Sequence, residues 1–67
     1  MRWHSPRFEN DKLIIEGTSC EEAGALIEID SDGYIMLYES PQYGGEYRFA
    51  GYRENLYQAF KEAEGWI

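Results

Sequence analysis

Two side chains in this sequence have types that could cooperate in covalent catalysis, the Cys20 thiol and the His4 imidazole. A thiolate nucleophile needs a base beside it, and the base needs a third group to orient it. No third group is identifiable. A lone cysteine beside a short apolar connection reads instead as a small buried residue. One cysteine and one histidine make neither an internal disulfide nor a Cys/His zinc set. Carboxylates are plentiful, but acids crowded on a short hairpin are ordinarily solvated. There is no Gly-rich phosphate loop and no nucleophile elbow. A chain of 67 residues is also short for a closed pocket of about 300 Å³ or more. The expectation is a protein that is not an enzyme and takes no cofactor and no metal.

The acids nonetheless have a pattern. The segment from Glu28 to Glu39 runs Glu-Ile-Asp-Ser-Asp-Gly-Tyr-Ile-Met-Leu-Tyr-Glu. It resembles the calcium loop of an EF-hand over twelve residues, with acids at positions one, three and five, Gly33 at six and Glu39 at twelve. The resemblance implies a calcium-binding loop followed by an exit helix. The sequence departs from it at position one, where Glu28 stands, and at Pro41, which stops a helix two residues after Glu39. A hairpin with an acidic turn explains the same letters and is the reading adopted.

The elements that must carry these residues follow from local chemistry. Residues 1–11 form a polar-aromatic lead-in, with Pro6 and Asn10-Asp11 as turn material. Lys12–Glu16 is a β-branched run that reads as a strand. In the connection Gly17–Gly24, Ser19-Cys20-Glu21-Glu22 fits a capping box around a single helical turn. Ala25–Asp30 and Tyr34–Glu39 read as two strands of a hairpin. The turn Asp30-Ser31-Asp32-Gly33 suits a type I turn closed by glycine in the left-handed region. That turn fixes a register, with Ile29 opposite Ile35 and Ile27 opposite Leu37 on one face. The other face then holds Leu26, Glu28, Tyr34, Met36 and Tyr38. Pro41-Gln42-Tyr43-Gly44-Gly45 is a further turn. Glu46–Ala50 follows as a strand, with Tyr47 and Phe49 pointing the same way. After Gly51 the apolar period changes to that of a helix, through Tyr52, Leu56, Ala59, Phe60 and Ala63. Gly65 fits a left-handed helix end, with Trp66 folded back onto Phe60. Such a helix is too short to hold alone in water. It must pack on the face carrying Ile27, Ile29, Ile35 and Leu37. The expected fold is a single α+β domain over 1–67: a three- to four-stranded antiparallel meander with one C-terminal α-helix on one face.

Composition limits the partners. The formal charge is −7, from 13 acids and 6 bases. Between Leu13 and Tyr47 stand eight acids (Glu16, Glu21, Glu22, Glu28, Asp30, Asp32, Glu39 and Glu46) and neither Lys nor Arg. Nucleic-acid binding needs a cationic face that displaces counterions from phosphates. An anionic membrane attracts the same kind of face. Neither is expected to be a direct partner. No apolar run approaches the roughly 20 residues of a membrane span. The unpaired thiol and the polar first residues point to the cytoplasm. With aromatics at 16% of the chain, large rings must supply much of the core. A domain this small is expected to be a monomer or a weak homodimer.

These features direct attention to the second sheet face. Tyr34, Met36 and Tyr38 alternate along one strand, with Arg48 beside them and Glu28 and Glu39 at the rim. Tyr, Met and Arg are enriched at interfaces. The competing expectation is that Trp3 and Phe8 fold over this face. The functional expectation is a small acidic module that binds a protein with a basic or apolar surface through Tyr34, Met36, Tyr38 and Arg48. A second expectation is an acidic inhibitor of a nucleic-acid-binding protein, with Glu28, Asp30 and Asp32 standing in for phosphates. Small acidic inhibitors encoded by phages are similar in size and charge. The order of elements over residues 25–64 is similar to the DNA-binding domain of plant ethylene-response factors. The basic strand residues that family relies on are absent, so its function is not carried over.

Overall fold

The computed structural model describes residues 1–20, 22–42 and 45–66. The chain order is β1 (Arg2–Trp3), β2 (Arg7–Glu9), β3 (Lys12–Thr18), β4 (Gly24–Ile29), β5 (Ile35–Ser40), β6 (Arg48–Arg53) and α1 (Leu56–Glu64). All strands join one antiparallel sheet in the order β1-β3-β4-β5-β6, with β2 pairing on the same side of β3 as β1 does along its other half. The α+β class and the C-terminal helix are as expected. The strand count exceeds three to four because the lead-in itself supplies two strands.

The lead-in pairs because its turn is a two-residue hairpin. Asn10 and Asp11 both have positive φ, 51° and 62°. Two successive left-handed residues match the twist of the flanking strands, and Asn and Asp tolerate that conformation best after glycine. Glu9 therefore lies opposite Lys12, and Phe8 opposite Leu13.

The central hairpin has the register its turn predicts. Ile29 pairs with Ile35 and Ile27 with Leu37. Gly33 N–H donates to the Asp30 carbonyl at 3.0 Å, with Gly33 at φ +87°. The Asp30 carboxylate oxygen Oδ1 accepts from the backbone of Asp32 and of Tyr34, each at 3.0 Å. These bonds close the turn from inside. Residues 35–40 are strand, so the exit helix of a calcium loop is not formed.

The β3–β4 connection differs from the expected helical turn. Ser19 N–H donates to Ala23 O, and Ala23 N–H donates to Ser19 Oγ. Ser19 thus staples a hairpin loop, and Glu22 stands at φ +67° within it. Glu21 lies outside the described residues, as do Tyr43 and Gly44 of the next expected turn. Cys20 is exposed, contrary to its expected burial.

The helix is shorter than its apolar period suggested. Tyr52 belongs to β6, whose register slips opposite Leu37 and Tyr38: Leu37 faces Gly51, yet Tyr38 faces Phe49. Ala50 is the extra residue of a bulge. Because of it, Phe49 and Tyr52 share a face although three residues apart. That spacing imitates a helix. The true start is Asn55, whose side chain accepts from Gln58 N–H, while Gln58 Oε1 accepts from Glu54 N–H. The helix ends with Gly65 at φ −76°, not in the left-handed conformation expected for it.

The core lies between α1 and the sheet. Ile15, Ala25, Ile27 and Leu37 of the sheet meet Ala59 and Ala63 of the helix. Alanines at the contact let the helix approach closely, and the fully buried Ile27 and Leu37 contribute about 1.5–3 kcal/mol each. Trp3 joins this side of the sheet. It sits over Gly17, where an added Cβ would lie 2.7 Å from the indole. Its ring meets Phe60 edge-to-face at 4.6 Å, and its Nε1–H donates to Glu64 at 2.8 Å. Phe60 was expected to receive Trp66, but its ring partner is Trp3. Trp66 packs at the border of the same core. Arg53 ties β6 to α1, with its guanidinium forked onto both Glu62 oxygens. The same guanidinium donates to the carbonyls of Tyr52 and Ala50. No helix among the described residues is long and apolar enough to cross a membrane.

Candidate functional site

The sheet face opposite α1 is built by pairing. One row runs Arg7, Ile14, Glu28, Met36, Tyr52, and the next runs Glu16, Leu26, Tyr38, Phe49. Its two halves have different chemistry. On the β2–β3 side the groups are charged and stand in ion pairs. Arg7 bridges Glu9 and Glu16, and both carboxylates raise its pKa above the ordinary guanidinium value. The Lys12 ammonium lies 3.7 Å from Glu28 Oε1. The Tyr47 hydroxyl donates to Glu16 at 3.4 Å.

On the β5–β6 side the face is aromatic. Tyr38 meets Phe49 at 5.4 Å between centroids, Phe49 meets Tyr52 at 5.4 Å, and Tyr52 meets Tyr34 at 6.0 Å. Four rings thus form one continuous ribbon. Tyr34, Phe49 and Tyr52 are 61%, 53% and 62% exposed. Soluble folds normally bury such rings, so three adjoining ones open to solvent call for an explanation. Burial pushes the Tyr38 phenol above its ordinary pKa, and the nearby Glu28 charge adds to that.

The expected cover is not there. Trp3 packs on the helix side, and Phe8 is 79% exposed opposite Leu13, on the Leu13–Ile29–Ile35 side. Of the residues expected to bind, Tyr34 and Tyr38 lie in the ribbon. Met36 is buried at 8% exposure and forms floor rather than contact surface. Arg48 is not beside them. It pairs with Glu39 and shares a cleft of about 130 Å³ with Glu39 and Trp66, on the helix side of the sheet. Glu39 likewise leaves the rim of the aromatic face. Glu28 stays on the face, and Asp30 and Asp32 sit at the hairpin tip beside Tyr34.

Phe49 and Tyr52 are the site residues that sequence reasoning failed to place. A glycine inside a strand pattern marks a bulge, so Gly51 between these two aromatics was the available signal. Elsewhere, His4 Nε2 shares a 2.8 Å hydrogen bond with the Thr18 hydroxyl. Among the described residues, no three His, Cys, Asp or Glu side chains are grouped to hold a metal ion.

No known protein family matches the chain, and neither does any curated protein or solved structure.

Proposed function

We propose that this protein is a non-enzymatic binding module whose partner is another protein, docked on the aromatic half of the open sheet face. The observation that carries this reading is the ribbon Tyr34–Tyr52–Phe49–Tyr38, three of whose rings are more than half exposed. Aromatic clusters seated on rigid strands lose little conformational entropy on binding and act as anchors. The ribbon also sits on the described face that neither α1 nor the lead-in covers. The site is therefore Tyr34, Tyr38, Phe49 and Tyr52, with Met36 as floor and Glu28 as its acidic flank. Arg48 is not part of it.

The phosphate-mimicking reading has less support. It needs free carboxylates at Glu28, Asp30 and Asp32. Glu28 lies beside Lys12, and Asp30 is engaged by two backbone N–H groups of its own turn.

A photo-crosslinking amino acid placed at position 52, or separately at position 49, tests the proposal in the native host. The control position is Tyr57, 70% exposed on α1 away from the sheet. A discrete protein adduct is expected from 52 and 49 and not from 57. Adducts from 57 alone, or adducts to nucleic acid, would overturn the reading.

A further inference from the structure

The rings are inclined to one another by 57° to 79°. Each T-shaped contact sets the edge of one ring on one face of its neighbour, and Tyr34, Phe49 and Tyr52 keep more than half of their surface open to solvent. An aromatic face carries negative potential and can take either of two occupants. One is another π system such as a nucleobase, and the other is a cation. The surroundings decide between them.

A nucleobase arrives with a phosphate chain, which needs cations nearby. Arg2, Arg7 and Lys12 are the basic residues that the pairing places on this face; Arg7 and Lys12 stand against carboxylates, and Arg2 lies on β1, at the opposite end of the sheet from β6. The strands beneath the ribbon contribute two other bases, Arg48 and Arg53. Arg48 faces the opposite side with Glu39, and Arg53 is forked onto Glu62. What the ribbon does have nearby is negative charge. Glu28, whose Oε1 lies 3.7 Å from the Lys12 ammonium, also neighbours Tyr38 closely enough to act on its phenol. Asp32 is exposed at the tip next to Tyr34. The whole chain carries −7.

Between the two cationic side chains, the ribbon fits arginine better than lysine. A guanidinium is planar, stacks on rings and is more weakly hydrated than an ammonium. The floor is apolar, built of Ile14, Leu26 and Met36, which favours a cation that sheds water cheaply. Adjacent ring centroids are 5.4 to 6.0 Å apart. Alternate side chains of an extended segment are spaced by about 6.6–6.8 Å, two strand rises. Phe49 lies opposite Tyr38 and Tyr52 opposite Met36, so the rings form two cross-strand pairs, Tyr38–Phe49 and Tyr34–Tyr52, and alternate side chains of one segment can address the two pairs.

Resting on the binding-module reading, we infer that the partner presents an extended segment with arginines at alternate positions, whose guanidinium groups stack on the Tyr38–Phe49 and Tyr34–Tyr52 ring pairs. The charge of the ribbon's surroundings and the spacing of its rings select that segment.

The test is an NMR titration of the isotope-labelled protein with a capped peptide in which three arginines alternate with serines. Controls are the same peptide with citrulline for arginine, which keeps shape and removes charge, and a short single-stranded oligonucleotide. Saturable shifts are expected on the rings of Tyr34, Tyr38, Phe49 and Tyr52. Citrulline should weaken binding at least five-fold, and Tyr52→Leu and Phe49→Leu should each weaken it about two- to five-fold. Each variant is checked for an unchanged amide spectrum away from the ribbon, which separates lost binding from lost folding. The inference is overturned by no saturable binding, by equal binding of the citrulline peptide, by insensitivity to both ring variants, or by preference for the oligonucleotide. If the peptide fails while crosslinks from positions 49 and 52 still capture one protein, the inference falls and the binding-module reading stands.

Discussion

Gly17 shows how much of the core depends on one missing methyl group. The Trp3 indole and the Met1 sulfur both occupy the place where its Cβ would go, at 2.7 Å. The indole is itself fixed by Phe60 and Glu64, so it has no easy retreat. Gly17→Ala should destabilise by about 1–3 kcal/mol, the usual cost of overfilling a packed site. Urea unfolding with an unchanged slope would measure it. Glu22 presents the opposite case, a side chain where φ +67° suits glycine. Glu22→Gly should relieve strain and raise stability by up to about 1 kcal/mol, net of the added freedom of the unfolded chain. An unchanged or lowered melting temperature would refute that. At this scale the sequence was only partly legible. Gly33 and Asp30 announce their roles because turn chemistry is local. Gly17 does not, since its reason is a tryptophan fourteen positions earlier whose destination the sequence left open.

Among the elements, the bulge in β6 and the fork of Arg53 decide where the last strand stops and the helix begins. The Glu62 carboxyl is held below its ordinary value of about 4.5, chiefly by its hydrogen bonds to Arg53. A folded-state pKa below the unfolded one means stability that is present above about 4.5 and is lost as pH falls through the folded value. Arg53 stays charged throughout. Glu62 is 44% exposed, so solvent screening limits the pair to about 0.5–1 kcal/mol at pH 7. Glu62→Gln should cost about that at pH 7 and almost nothing near pH 2, as paired thermal melts would show. A deficit that persists at pH 2 would assign the loss to packing. The β4–β5 hairpin offers a second check. Gly33→Ala should destabilise by about 1 kcal/mol, because alanine resists φ +87°. Millimolar calcium should move neither the melting temperature nor the amide spectrum of this hairpin. Shifts that saturate at Asp30, Asp32 and Glu39 would restore the EF-hand reading.

For the molecule as a whole, the layer arrangement was readable because two periods disagreed cleanly. The alternation of residues 25–39 could only be a hairpin, and Leu56, Ala59, Phe60 and Ala63 could only be a helix lying on it. The lead-in was misread because strands of two and three residues are too short to show alternation. Their pairing was written in Asn10-Asp11, a turn whose two positive φ angles need Asn and Asp but are less conspicuous than Asn-Gly. The aromatic surface was half legible. Tyr34 and Tyr38 follow from the hairpin register, while Phe49 and Tyr52 required knowing that one residue was looped out between them.

The capped carbonyls of Tyr52 and Ala50 have a consequence for how copies of this chain behave when crowded. An open antiparallel sheet has two margins that can recruit further strands without limit, and self-templating fibres grow that way. Here one margin is made of β1 and β2, both very short and separated by a stretch containing Pro6, which has no N–H to offer. On the other margin, Arg53 lays a positive charge across two carbonyls that an incoming strand would need. Concentrated solutions should thus stay clear with no lag-phase growth of thioflavin fluorescence. Combining Pro6→Val with Arg53→Ala should introduce such growth, and Glu62→Gln, which loosens Arg53 without removing it, should fall between. Fibre growth by the unaltered chain at the same rate as the double variant would show that these margins are not guarded.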